Sequence, residues 1–133
     1  DAAERRELVP HPPSAGLSRA EMERLMTARR LIADRFDEKL TLDRIARTTG
    51  LNRTKLTQGF REVFGQSVAD CLADQRLSRA ARDLTSSDRP VSVVGYDAGY
   101  LNNASFARAF TRRYGLCPSD YRRAGGQVAL NAA

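Results

Sequence analysis

The sequence predicts an all-α fold in which two helix-turn-helix subdomains are joined by a long linker helix. Three observations carry this expectation. Apolar residues recur three and four apart over successive stretches, the spacing that lines one face of a helix. Most stretches open on Ser, Thr or Asn and close on glycine, the residues that start and stop helices. The chain also matches itself about 50 positions on, and no alternating run is long enough to suggest a sheet.

Residues 1–17 hold three prolines and no periodic pattern, so they read as a flexible linker. The first subdomain is expected over 18–66. Ser18-Arg19-Ala20-Glu21 is a capping box, in which hydroxyl and carboxylate satisfy amides at a helix start. Met22, Leu25, Ile32 and Phe36 then mark a helix to about Phe36. Thr41 caps a short helix from Leu42 to Thr48, stopped at Gly50. Asn52 caps the next, with Leu56, Phe60 and Phe64 facing inward and Gly65 at its end. Ser67 opens the linker helix, expected over 67–86, through Leu72, Leu77, Ala80, Ala81 and Leu84, and Ser86–Pro90 breaks it. The second subdomain spans 87–123. It holds a short helix from Val91 to Ala98, then one capped by Asn102 with Phe106, Phe110 and Tyr114 inward. Pro118–Arg123 forms the last turn, and 124–133 is a flexible tail.

The internal match is the most informative feature. Leu56, Phe60, Phe64, Gly65 and Asp70 recur as Phe106, Phe110, Tyr114, Gly115 and Asp120, 50 positions on. Leu42, Ile45, Ala46, Gly50 and Leu51 recur as Val91, Val94, Gly95, Gly99 and Tyr100, 49 positions on. The extra residue falls in the turn, where an insertion disturbs least. A tiny residue, Ala46 or Gly95, stands four positions before each turn glycine, as close crossing by the second helix requires. Gly95 lowers helix propensity by about 1 kcal/mol relative to alanine, so close packing is the reason to keep it. A helical solenoid is the competing architecture, but it generally needs three or more stacked repeats.

The net charge of +6 favours a polyanionic partner, since each phosphate neutralised releases counterions. Catalysis and metal binding find no support: there is no nucleophile elbow, Gly-rich phosphate loop or His/Cys cluster. The single histidine, His11, lies among prolines without catalytic company. No cofactor is expected. Cys71 and Cys117 have no metal-ligand spacing and read as two buried, reduced thiols. No apolar run approaches the ~20 residues that span a membrane.

In a helix-turn-helix, the second helix enters the major groove and its outward side chains read sequence. Removing the inward stripe leaves Arg53, Thr54, Thr57, Gln58 and Arg61 in the first copy. In the second it leaves Asn103, Ala104, Ala107, Arg108 and Thr111, and neither set contains an acid. Gln58 suits adenine and Arg108 guanine, while Thr54, Thr57 and Ala104 suit a thymine methyl or a phosphate. Arg53, Lys55, Arg61, Thr111, Arg112 and Arg113 are expected on the DNA backbone, with the Lys55 stem also free to cover apolar surface. Two readers in successive major grooves would stand about 34 Å apart along the DNA. The alternative is an architectural or RNA-binding helical module without sequence preference. It would need aromatic stacking platforms, and Phe60, Phe64, Phe106 and Phe110 all fall inward. A protein-interaction adaptor would need a continuous exposed apolar patch.

Leu42-Asp43-Arg44-Ile45-Ala46, Gly50-Leu51-Asn52 and Phe60-Arg61-Glu62-Val63-Phe64-Gly65 resemble the first half of an AraC/XylS-type domain. The second half resembles that family's signature more specifically. It shows Gly99-Tyr100, Phe106-Ala107-Arg108-Ala109-Phe110, Tyr114-Gly115 and Pro118-Ser119-Asp120-Tyr121-Arg122. The resemblance covers roughly Ser18 to Arg123. It implies a bipartite, homeodomain-like domain of about seven helices that regulates bacterial promoters in the cytoplasm. Base-reading roles carry over to Thr54, Thr57, Gln58, Asn103, Ala104 and Arg108. Gly95 departs from the more usual alanine, and Ala104 from a longer polar residue, which moves specific readout in the second helix towards Arg108. The resemblance implies promoter DNA and RNA polymerase as partners. Many family members carry an N-terminal effector domain, and Asp1 followed by a proline-rich stretch suggests a fragment of such a protein. The run Gly50–Phe60 also resembles a branch that controls siderophore uptake.

Overall fold

Hydroxyl and amide side chains start five of the helices in the computed structural model, which describes residues 16–126. The elements are α1 (Arg19–Arg35), α2 (Leu42–Thr49), α3 (Arg53–Phe64), α4 (Val68–Ser86), α5 (Val91–Asp97), α6 (Asn103–Tyr114) and α7 (Pro118–Arg123). No strand occurs among the described residues. Among the described residues seven helices stand where about seven were expected, with α1 and α5 each one residue shorter and α2 one longer. The expected linker through residue 15, with His11, and the expected tail from residue 127 lie outside the described residues.

The capping residues act as their sequence positions require. Ser18 and Glu21 exchange reciprocal bonds of 3.0 Å between side chain and amide. The Ser18 amide holds the Glu21 carboxyl below its ordinary range, against slight desolvation and with help from Lys55. Thr41 Oγ1 accepts from the Arg44 amide at 3.0 Å, and Ser67 Oγ from the Asp70 amide at 3.0 Å. Asn52 Oδ1 accepts from the Lys55 amide at 2.7 Å, and Asn102 Oδ1 from the Ser105 amide at 2.8 Å. Each bond satisfies an amide that a helix start otherwise leaves without a partner.

The internal match is physical as well as textual. The Leu51 amide donates to the Ala46 carbonyl at 3.0 Å, and the Tyr100 amide donates to the Gly95 carbonyl at 3.0 Å. The same six-residue closure therefore ends α2 and α5, with Gly50 and Gly99 at positive φ inside it. At Gly95 a Cβ atom would fall 2.5 Å from the Phe106 ring, so α6 crosses α5 where no side chain can intervene.

Two compact units share the described residues: 16–35 with 40–72, and 36–39 with 73–126. In the first, Leu25, Ala28 and Ile32 of α1 are buried, as are Ile45 and Ala46 of α2 and Leu56 and Phe60 of α3. The second has a core of Leu77, Ala80, Ala81, Leu84, Val94, Ala98, Phe106 and Phe110, edged by Tyr100, Tyr114 and Tyr121. Helix α4 thus begins in the first unit and supplies half of that core to the second. Phe110 stands among aromatic rings, with centroids 5.7 Å from Phe106, 4.6 Å from Tyr114 and 5.1 Å from Tyr121.

Polar side chains close the second unit. Arg76 Nε donates to the Phe36 carbonyl at 2.7 Å, and its Nη2 donates to the Glu38 carbonyl at 3.0 Å. Burial pushes the guanidinium pKa down, with Tyr100 and Asp37 opposing, and burial also pushes the Tyr100 phenol up. Arg122 Nε donates to the Leu84 carbonyl at 2.8 Å and fixes α7 on the end of α4.

One expectation needs correcting. Cys71 is buried, but Cys117 is only half-buried; neither forms a disulfide. Cys117 stands at the N-cap of α7 with Sγ 3.5 Å from Ser119 Oγ, and a helix start at the surface leaves that side chain part in solvent.

Candidate nucleic-acid interface

Each unit presents the outward face of one helix behind a capped turn. On α3, Arg53, Thr54, Thr57, Gln58 and Arg61 are exposed, while Leu56 and Phe60 opposite them are fully buried. On α6, Asn103, Ala104, Arg108, Thr111, Arg112 and Arg113 are exposed and Ala107 half-exposed, with Phe106 and Phe110 buried behind them. The register is common to both. Positions 54, 57, 58 and 61, and their counterparts 104, 107, 108 and 111, fall on one helix face by the three-and-four rule. Ala107, Arg108, Thr111 and Arg112 line a shallow depression on α6.

The basic side chains divide by what already holds them. Lys55 Nζ donates to the Gly16 carbonyl at 2.9 Å and lies 3.6 Å from Glu21 Oε1, so this side chain ties α3 to the start of α1. Arg113 lies 3.4 Å from Asp74 and over the Tyr114 ring, which draws it towards α4. Arg53 pairs with Asp43 at 3.5 Å, but both are well exposed and such a pair is weak. Arg61, Arg108 and Arg112 make no hydrogen bond or ion pair among the described residues.

The helix starts differ in charge. An acid stands in the first turn of α1 (Glu21), α2 (Asp43), α4 (Asp70) and α7 (Asp120). The first turns of α3, α5 and α6 have none; the seven-residue α5 starts at Pro90 without a side-chain cap, whereas α3 and α6 are capped by the neutral amides Asn52 and Asn102. A helix start carries roughly half a positive charge, so these two starts remain open to an anion.

Sequence reasoning missed three exposed apolar side chains in the second unit. Val93 and Tyr96 stand one helical turn apart on α5, and Leu101, in the turn before α6, is 87% exposed. The repeat held the signal for the last of these. Leu51 is buried in the first turn; in the second, Tyr100 takes its place against the core and the additional residue, Leu101, is left outside. Among the described residues no group of His, Cys, Asp or Glu could hold a metal ion, and no helix is long and apolar enough to cross a membrane.

Comparison with known proteins places this arrangement. A family profile described as a helix-turn-helix domain matches residues 45–124. The regulatory protein SoxS of Escherichia coli strain K12 is 34% identical over 91 residues, covering 68% of this chain and 85% of SoxS. The arabinose operon regulatory protein of the same strain is 30% identical over 122 residues, covering 91% of this chain and 39% of that protein. The DNA-binding domain of AdpA, described as a global transcriptional factor and solved in complex with a target DNA, matches with a TM-score of 0.72. It is 25% identical, over 75% of this chain and 90% of that one.

The fold and its two outward helices are those of a DNA-binding transcription regulator. The chain belongs to the AraC/XylS family, whose members are regulators and not enzymes, and its function is sequence-specific DNA binding in the control of transcription.

Proposed function

We propose that α3 and α6 enter two successive major grooves of promoter DNA and read a bipartite site. The observation that carries this is the pair of outward stripes in one register, each behind a helix start free of acids. Thr54, Thr57 and Gln58 read the first half-site; Asn103, Ala104 and Arg108 read the second. Arg61, Arg112 and Thr111 hold the DNA backbone, with Arg53 joining them once its weak pair with Asp43 opens. Lys55 and Arg113 contribute less, because internal carboxylates already engage them. The same reading gives the chain no catalytic step. It places the protein at promoters in the bacterial cytoplasm beside RNA polymerase, with small-molecule sensing assigned to a separate domain.

The test is selection of binding sites from random duplex DNA, which is expected to return two conserved blocks. Arg108→Ala should weaken binding by about 1–3 kcal/mol and relax preference at a single base pair. An equal loss on every sequence would reduce Arg108 to a phosphate contact. Selection that enriches nothing would sink the proposal in favour of a module without sequence preference.

A further inference from the structure

Compared with α3, the outward stripe of α6 exchanges hydroxyls for methyls. Thr54 and Thr57 correspond to Ala104 and Ala107, Gln58 to Arg108, and Arg61 to Thr111. Neither alanine can donate to or accept from a base edge, so the hydrogen-bonding code is closed to both. What they offer is a small apolar surface that lets the helix backbone come near the base edges. That surface continues into the shallow depression bordered by Ala107, Arg108, Thr111 and Arg112. Immediately before the helix stands Leu101, an 87% exposed apolar side chain that only the second turn possesses. The apolar group on a base edge in the major groove is the thymine C5-methyl.

We propose that α6 selects its half-site chiefly by thymine methyl groups seated against Leu101, Ala104 and Ala107, beside one guanine read by Arg108. This rests on the reading of α6 as a major-groove helix and names the chemistry of its recognition. The two units then read DNA by different means: hydroxyls and an amide on α3, chiefly methyl contact on α6, with the Arg108 guanidinium and the Asn103 amide beside it. Burying an apolar group against an apolar partner favours binding without direction, so the strip recognises where methyls lie and not which way a donor points.

Replacing thymine by deoxyuridine removes the methyl and leaves the pairing edge unchanged, which makes the test direct. The chain is titrated by fluorescence anisotropy on its selected site, with each thymine exchanged in turn for deoxyuridine. Thymines clustered in one half-site are expected to lose about three- to fourfold in affinity each, the worth of one buried methyl. In the double variant Ala104→Ser/Ala107→Ser that sensitivity should fall below twofold. Leu101→Ser, which changes no helix, should lower it at the outermost of those thymines. The proposal is overturned if no thymine matters by more than twofold, or if the serine variants keep the full sensitivity. A selection that enriches no site at all would instead overturn the major-groove reading beneath it.

Discussion

Phe110→Ala is expected to destabilise the second unit by about 3–5 kcal/mol, the usual range for removing a fully buried aromatic ring. The ring has no exposed surface and sits within reach of Phe106, Tyr114 and Tyr121, so truncation opens a cavity that stiff neighbours cannot collapse to fill. A domain of this size commonly has only about 5–15 kcal/mol to lose. Urea denaturation followed by circular dichroism measures the loss, and hydrogen exchange locates it in residues 73–126. Phe110→Leu should recover most of the stability, since it restores apolar volume without the ring contacts. A loss below 1 kcal/mol for the alanine variant would mean that the core relaxes around the gap.

Gly99→Ala is expected to lose about 3 kcal/mol, by a different route. Gly99 has φ +107°, a conformation that side chains rarely adopt. Its added Cβ would also fall 2.9 Å from the Phe36 carbonyl oxygen and 2.8 Å from Arg76 Nε, the two atoms that share a 2.7 Å hydrogen bond. Backbone strain of roughly 1–3 kcal/mol adds to overpacking of similar size. A double-mutant cycle separates them. In an Arg76→Ala background the same substitution should cost less, because one of the obstructing atoms is gone, while the strain at φ persists. Equal costs in the two backgrounds would remove Arg76 from the account and leave the strain at φ together with the Phe36 carbonyl as its cause.

What the sequence made legible is what depends on near neighbours. Ser18, Thr41, Asn52, Ser67 and Asn102 cap helices because the amides they satisfy lie three positions on. The duplicated pattern exposed the turn glycines and the small residue at 46 and 95. Gly95 could be read as a crossing point because its helix-weakening effect demanded a compensating reason, and the nearness of Phe106 supplies it. What stayed hidden depends on residues far apart in the chain. Arg76 meets carbonyls 38 and 40 positions away, and Lys55 reaches Gly16 39 positions back. Neither pairing leaves a periodic mark. At the interface, type and register gave the outward residues of α3 and α6. Charge alone could not say that, among the described residues, Arg61, Arg108 and Arg112 stand apart from ion pairs while Lys55 and Arg113 are held. Leu101 was visible only as the additional residue of the second turn, and its exposure follows from Tyr100 filling the interior position.

The open helix starts of α3 and α6 also tie the stability of the protein to its ligand. An aspartate in either first turn would suit the helix dipole and strengthen the free protein by about 0.3–1 kcal/mol at low salt. The chain forgoes that gain at these two helices, as it does at the short α5, while placing acids at α1, α2, α4 and α7. On the proposed reading, DNA phosphate would supply the counter-charge that these two first turns lack. Thermodynamic linkage makes the two quantities move together, so DNA raises the melting temperature and dilution or salt lowers it again. Sequence changes that make the unbound protein sturdier at these positions would make it a poorer regulator, a trade-off set by two first turns of backbone and no single contact.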